Sequence, residues 1–355
     1  VENLRRKVTA EHAEFVTITK FLSKDVSNDC DILCLDECST ISNRDMVRVL
    51  QRAQCKLLVL VGDIYQIESI LFGNWFNIAY KVMPKDSVAE LTRPHRTTVQ
   101  GLIEVWNKVR EITEDRLEFI TRNGLSSTLD ESIFSRTEED EIVLCLNYDG
   151  IYGINNINKF LQSNNVNPSI NWGVLSYKVG DPVLFNESNR FAPLVYNNLK
   201  GKILQIEEEE ECIYFTIEVY TVLNELDVIG FDLELKESVT DETSVIRFKV
   251  GRGGDGNDDN DNVENVVPFQ VAYAISIHKA QGLEYESVKV VITSEIEEMV
   301  SHNIFYTAIT RAKSKLKIYW SPETEKRILE NMKVQFNDKD YQLFKAKYKE
   351  ALLKS

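Results

Sequence analysis

The chain has 355 residues, 43% of them hydrophobic and 27% charged, with a formal charge of −15. That length holds two or three domains, each with a core of its own. No apolar run approaches the ~18 residues of a membrane span, and residues 1–10 are charged where a secretory signal would be apolar. A cytoplasmic protein with no membrane partner is therefore expected. The acidity excludes little about nucleic acids, because it is local. Residues 204–265 hold 18 Asp or Glu against 4 Lys or Arg, a balance of −14, which leaves −1 on the rest. Six scattered cysteines (Cys30, Cys34, Cys38, Cys55, Cys145, Cys212) form no CxxC pair and read as reduced thiols rather than a zinc site.

In chain order, residues 15–18 read as a short strand and 19–22 as the start of a helix. Residues 32–35, Ile-Leu-Cys-Leu, then run straight into Asp36-Glu37. Such an unbroken apolar run fits a strand buried on both faces of a parallel sheet. Carboxylates at its end fall at the sheet edge where α/β proteins bind ligands. The alternative is a surface Asp-Glu capping a helix that starts near Ser39. Residues 43–54 follow as a helix with Met46, Val47, Val49 and Leu50 inward. Residues 57–61 repeat the design, delivering Gly62-Asp63-Ile64-Tyr65-Gln66 to the edge. Gly62 permits a tight turn and Gln66 can place an amide beside a phosphate. Two such edges suggest one nucleotide site. In Phe72-Gly73-Asn74-Trp75-Phe76, core packing is expected for Phe72 and Phe76, and either packing or stacking on a base for Trp75. Arg93 and Arg96 flank Pro94 ahead of helices reaching about residue 120.

A second α/β unit opens with a strand at 142–146 and a helix at 155–162. From Val179 the texture changes to short alternating strands, 182–185, 202–207, 212–219 and 245–250, which read as a small β-barrel inserted in the second unit. An acidic flexible loop follows at 251–265. Its GRGGDGNDDNDN run lacks the spacing of a calcium loop. Residues 271–284 pass from strand to helix to turn, 288–292 form a buried strand, 305–313 a helix end, and 316–320 close the sheet. Ser321-Pro322-Glu323 starts a last pair of helices with solvated faces.

Five segments in this order resemble motifs II to VI of the superfamily 1 helicases. They are Asp36-Glu37; Gly62-Asp63 with Gln66; Pro94-His95-Arg96-Thr97; the run from Ser276 through Ile277-His278-Lys279-Ala280-Gln281-Gly282-Leu283 to Glu284; and the run from Tyr306 to Lys313 that contains Thr310-Arg311-Ala312. Val179-Gly180-Asp181-Pro182-Val183 and Asn198-Leu199-Lys200-Gly201 resemble the SH3-like insertion of the RecD-like branch. The resemblance implies an α/β fold of two RecA-like parallel-sheet lobes, the first incomplete, with an SH3-like β-barrel inserted in the second. The expected segments are 1–135 for the first lobe, 136–175 with 266–355 for the second, 176–250 for the barrel and 251–265 for the acidic loop.

Carried over, the resemblance gives Asp36 to Mg²⁺ and makes Glu37 the base that orients the attacking water. It makes Gln66 the sensor of the γ-phosphate, and Arg96 and Arg311 the arginines that stabilise the transferred phosphoryl group. Gln281, Gly282 and Glu284 meet the nucleotide, Glu284 at its ribose. Thr17, Trp75, Ser276 and His278 meet the nucleic acid. The implied function is an ATP-dependent helicase or translocase that grips ATP and Mg²⁺ between lobes and moves 5′ to 3′ on single-stranded DNA. RNA remains an open alternative track, and partner subunits or upstream domains are an allowed addition. One departure stands against this. No G-x-x-x-x-G-K-[ST] loop occurs in the sequence, and without its backbone N–H nest and lysine ATP binding is expected to be very weak. The chain is accordingly expected to be a fragment of an ATPase. The competing reading is a catalytically inactive nucleic-acid or protein interaction module with a helicase-like fold.

Overall fold

A computed structural model describes residues 12–23, 29–69, 73–92, 94–186, 190–238, 240–252, 265–333 and 338–354, with side chains as far as Tyr348. Phe72, Arg93 and the acidic run from residue 253 to 264 lie outside the described residues. The chain divides into two compact units. Unit 1 is Val1–Phe119 with Glu298–Thr310 and Ile328–Ser355. Unit 2 is Ile120–Glu297 with Arg311–Arg327. Residues 298–310 and 328–355, read from the sequence as second-lobe segments, thus belong with the first 119 residues.

In unit 1, strands β1 (Asp29–Leu35) and β2 (Gln54–Leu60) pair in parallel, from Asp29 opposite Gln54 to Leu35 opposite Leu60. The crossover is the helix Asn43–Arg52. Ser42 caps it by accepting from Asp45 N at 3.0 Å, and Asp45 adds a negative charge to the first turn. Met46 and Val49 carry its buried line into a core with Phe21, Leu35, Cys38 and Ile41. The expectation of strands buried on both faces fails here. Ile32 is 59% and Leu57 52% exposed, and Val47 and Leu50, expected inward, point to solvent. The sheet has two strands among the described residues, and the helix covers it with its 46/49 line alone. The short strand expected at 15–18 is absent as well. Thr17 caps a four-residue helix, Ile18–Phe21, by accepting from Lys20 N at 3.2 Å.

Unit 2 holds the remaining strands: β3 (Ser126–Ser127), β4 (Glu141–Cys145), β5 (Ser169–Trp172), β6 (Leu175–Lys178), β7 (Pro182–Phe185), β8 (Lys200–Glu208), β9 (Cys212–Val219), β10 (Glu234–Lys236), β11 (Ser244–Gly251), β12 (Phe269–Val271), β13 (Ala274–Ser276), β14 (Tyr285–Val291) and β15 (Ala312–Tyr319). A five-stranded sheet runs β13-β4-β14-β15-β3, every pairing parallel. All five residues of β4 are buried, as an interior strand between two neighbours should be. The helix Ile154–Ser163 covers it with Ile154, Ile157 and Leu161. The sequence placed the end of this sheet at 316–320; the two-residue β3 lies outside β15 instead.

A second, antiparallel sheet runs β10-β11-β9-β8-β7-β12. Its core is aromatic, with Phe185, Phe191, Phe215, Phe248 and Phe269 all buried and the Phe215 and Phe269 rings edge to face at 4.9 Å. The strands expected at 182–185, 202–207, 212–219 and 245–250 all lie in this sheet, and no residue of it joins a parallel ladder. No ladder links β10 to β12 among the described residues. The β5–β6 hairpin was not foreseen, since its polar alternation around Gly173 carries little apolar signal. Asp181 ties this region together. Its fully buried carboxylate accepts from Gln162 Nε2 (2.5 Å), Asn165 Nδ2 (2.9 Å), Lys178 N (2.9 Å) and the Tyr273 hydroxyl (2.8 Å).

Candidate functional site

In unit 1 two strand ends are laced into one edge. Cys38 N donates to Val61 O at 2.8 Å and Val61 N to Leu35 O at 2.8 Å, so Asp36-Glu37 and the turn after β2 leave the sheet side by side. Gly62 is needed there, because a Cβ would lie 2.9 Å from Phe76 Cε1 and 3.1 Å from Cys38 N. Glu37 takes a left-handed backbone, φ 52°, which is costly for a non-glycine residue and occurs where surrounding structure demands it. Asp36 is exposed, and its Oδ1 accepts from Glu37 N at 2.9 Å. Burial pushes the Cys38 thiol up to about 12, so it stays protonated and donates to Leu35 O at 3.3 Å.

The turn after Gly62 is built by Asp63. Its Oδ1 accepts from Tyr65 N at 2.9 Å and its Oδ2 from Gln66 Nε2 at 3.2 Å. That leaves Gln66 Oε1 buried with no hydrogen-bond partner among the described residues, an acceptor ready for a water or a ligand hydrogen. The helix His302–Ile309 holds this turn from more than 200 residues away. Asn303 Nδ2 donates to Gln66 O at 2.8 Å, and Ile67 N donates to Thr307 Oγ1 at 3.0 Å. Arg96 Nη1 donates to Thr310 O at 2.5 Å and Trp106 Nε1 to Ile309 O at 3.0 Å. His302 is buried with Nε2 2.9 Å from Val109 O, and burial lowers its pKa against the opposing pull of that carbonyl. Asn303, Thr307 and Trp106 were not singled out from sequence. Only Thr307 fell in a recognised motif, and no spacing rule links the others to Gln66.

In unit 2 the segment expected to be helical after β13 is a series of turns. Ala280 N bonds Ser276 O, Gln281 N bonds His278 O and Leu283 N bonds Ala280 O, and Gly282 at φ 76° ends the sequence. Ser276 is buried and its Oγ accepts from Lys279 N at 3.2 Å; His278 and Glu284 are exposed, and Gln281 is half-buried. Three cations fix the 283–284 stretch. Arg311, 1% exposed, donates from Nη1 to Leu283 O at 3.2 Å. Lys313 pairs with the Glu284 carboxylate at 2.9 Å, and Lys200 reaches Glu284 O at 3.1 Å while pairing with Asp140 at 2.5 Å. Burial lowers the Lys200 pKa, and Asp140 opposes that shift. Lys200 and Asp181 stood in the sequence as family marks; their ties could not be read there.

Of the residues expected at nucleic acid, Thr17 is an exposed helix cap. The two residues after it, Ile18 and Thr19, line a cavity of about 420 Å³ together with Ser23, Thr40, Arg48 and Ser69 among others, and Thr17 itself does not. Trp75 is half-buried, packs against the unit 1 core, and donates from its indole nitrogen to Ile41 O at 2.8 Å, which is the packing alternative's geometry. For a divalent ion, Asp36 offers a hard, exposed carboxylate. Mg²⁺ is commonly held by one or two carboxylates with substrate phosphates and water completing the shell, and this donor fits that mode. No group of three or more His, Cys, Asp or Glu that could cage a metal occurs among the described residues. No helix among them is long and apolar enough to cross a membrane.

Residues 271–319 match the UvrD-like helicase C-terminal domain, and residues 3–130 match an AAA domain. The chain is 22% identical over 336 residues to the RecBCD enzyme subunit RecD of Mycolicibacterium smegmatis, covering 86% of this chain and 52% of that protein. It is 24% identical over 354 residues to the uncharacterized protein MJ1519 of Methanocaldococcus jannaschii, covering 83% and 29%. The chain thus spans about half, or less, of the length of these curated relatives. Among solved structures, the Pif1 helicase from Candida albicans aligns with a TM-score of 0.50 at 17% identity, over 88% of this chain and 77% of that one. A structure of two coordinating Pif1 helicases unwinding forked double-stranded DNA aligns at 0.50 and 14%, over 96% and 80%. At such identities the likeness is one of fold.

Proposed function

We propose, from the chain's place among the RecD-like helicases of superfamily 1, that its residues serve ATP-driven movement on single-stranded DNA, in the 5′ to 3′ direction. The observation that carries this reading is the laced edge of unit 1, where two parallel strand ends deliver Asp36-Glu37 and the Asp63–Gln66 turn together. In this reading Asp36 would hold Mg²⁺, which would supply positive charge to offset that of the phosphate oxygens. Glu37 takes the proton of the attacking water, and its fixed left-handed backbone sets where that carboxylate starts. Gln66 is read as the sensor of the γ-phosphate, its amide oriented by the hydrogen bond to Asp63. Arg96, anchored on Thr310 O, brings a cation to the same chemistry. In unit 2 the family roles are Arg311 for phosphoryl charge, Gln281, Gly282 and Glu284 for the nucleotide, and Ser276 with His278 for the backbone of the track. Since Arg311 and Lys313 also hold the 283–284 stretch, replacing either disturbs that loop along with any nucleotide contact. The antiparallel sheet is read as an SH3-like insertion in the second of two RecA-like lobes.

The test is phosphate release, with and without single-stranded DNA, by the full natural polypeptide that carries these residues. Turnover stimulated by DNA is expected. Arg311→Ala should lower it by roughly 10³-fold or more, the scale of arginine fingers. Background release under both conditions from folded protein contradicts the motor and leaves the binding-module reading.

A further inference from the structure

The helix Asp338–Lys354 lies beyond both matched segments. Its first turn is fixed to unit 1, where Asp340 accepts from Asn74 Nδ2 at 2.6 Å and Asp338 pairs with Lys81 at 3.3 Å. From residue 342 to Tyr348 every side chain is exposed, including Leu343 at 56%, Phe344 at 40% and Tyr348 at 55%. Residues 341–349 read YQLFKAKYK, three lysines and three aromatics without one acid, in a chain of charge −15.

Tyr341, Phe344, Lys345 and Tyr348 stand at i, i+3, i+4 and i+7, which puts them on one helix face. Lys81 Nζ and Lys345 Nζ lie 5.7 and 5.9 Å from the Tyr341 ring centroid, and the Phe344 and Tyr348 rings stack at 5.9 Å with planes 10° apart. A helix built to dock in an apolar groove separates its apolar stripe from its charges. Here an ammonium sits inside the aromatic stripe, so whatever covers the stripe must bring anions and flat π surfaces together. Single-stranded nucleic acid does this, with phosphates for the lysines and bases for the rings. We propose that this helix face, with Lys81, is an additional contact for single-stranded nucleic acid. Lys345 on this face, Lys347 on its flank and Lys81, which also pairs with Asp338, meet phosphates, and Phe344 and Tyr348 stack on bases. The inference rests on the single-stranded nucleic-acid reading above.

The experiment is fluorescence anisotropy of this chain with a labelled oligothymidylate about 20 nucleotides long, across a salt series. A Phe344→Ala/Tyr348→Ala variant should bind about tenfold or more weakly, with an unchanged melting curve because both rings are exposed. A Lys345→Gln/Lys347→Gln variant should lower the slope of log K against log salt by about 1.4. With dextran sulfate, which has charge but no bases, the lysine pair should matter and the aromatic pair should not. Wild-type affinity and slope in both variants overturn the proposal and leave the helicase reading intact. An aromatic effect equally large on dextran sulfate overturns base stacking. Absence of binding by the wild-type chain counts against the nucleic-acid reading itself.

Discussion

The two parallel sheets are written alike in sequence and built differently in space. In unit 2, β4 has a strand on each side and is buried at every position, with the helix Ile154–Ser163 packed on it. In unit 1, β1 is equally apolar between Ile32 and Leu35, yet Ile32, Cys34 and, across the ladder, Leu57 are open to solvent. An apolar run therefore records the capacity of a strand to be buried, while the number of sheet neighbours and covering helices decides whether it is. Charge divides the units as well: unit 1 has 22 Lys or Arg against 23 Asp or Glu, and unit 2 has 19 against 33, so nearly all of the −15 falls on unit 2. The unit with the thinner core thus carries the laced acidic edge and the lysine-aromatic helix. The unit with the full core carries the acidic surface.

The largest expected effect is in unit 2. Lys289 and Glu141 form a buried pair at 3.0 Å, side chains 7% and 2% exposed, and Glu141 also accepts from Thr137 and Ser287 hydroxyls. Lys289→Met leaves an uncompensated buried carboxylate and should cost about 3–5 kcal/mol, read as a fall in the higher of two calorimetric transitions. If both transitions move together, the units do not unfold independently and the comparison breaks. Trp75→Ala comes next. Loss of its core contact and of the Ile41 hydrogen bond should cost about 2 kcal/mol in the lower transition. Oligothymidylate affinity should hardly change; an affinity loss with no thermal change would return Trp75 to base stacking.

His302 gives unit 1 a pH dependence of its own near neutrality. Burial holds the folded-state pKa of His302 below its ordinary 6.5, so in acid the unfolded chain binds the proton first. The stabilisation is complete above pH 6.5 and is lost as pH falls below it. His302→Gln should flatten that slope in the lower transition as pH falls below 6.5; an unchanged slope would assign the acid sensitivity elsewhere. The smallest effect belongs to Ile32→Thr, expected within about 0.5 kcal/mol because the side chain is 59% exposed. A cost several times larger, seen in a melt of the same chain, would mean that this sheet face is covered in solution.

The longer strands were legible because periodicity and turn residues are local, while the short β3, β5, β6 and β10 were not. The antiparallel strands at 182–185 and 212–219 agree to the residue with the reading made from alternation. Burial was not legible for β1 or for Val47 and Leu50, since it depends on partners distant in sequence. Residues 271–284 were expected to pass from strand to helix to turn, but after β13 the chain is a series of turns whose hydrogen bonds close around Gly282. The acidic edge was visible as a motif. Its supports were not: Asn303 and Thr307 reach its turn through a backbone carbonyl and a hydroxyl, and Trp106 holds their helix at Ile309 O, contacts for which residue spacing carries no signal.

The central claim is that the edge formed by Asp36, Glu37 and the Asp63–Gln66 turn performs ATP hydrolysis. Its most direct measurement pairs nucleotide binding with phosphate release in the full natural polypeptide and its Glu37→Gln variant. The variant should bind ATP with Mg²⁺ as the parent does and release phosphate at background with or without single-stranded DNA, because it keeps Asp36 and loses the base. A Glu37→Gln protein that hydrolyses ATP at the parent's DNA-stimulated rate would contradict the assignment.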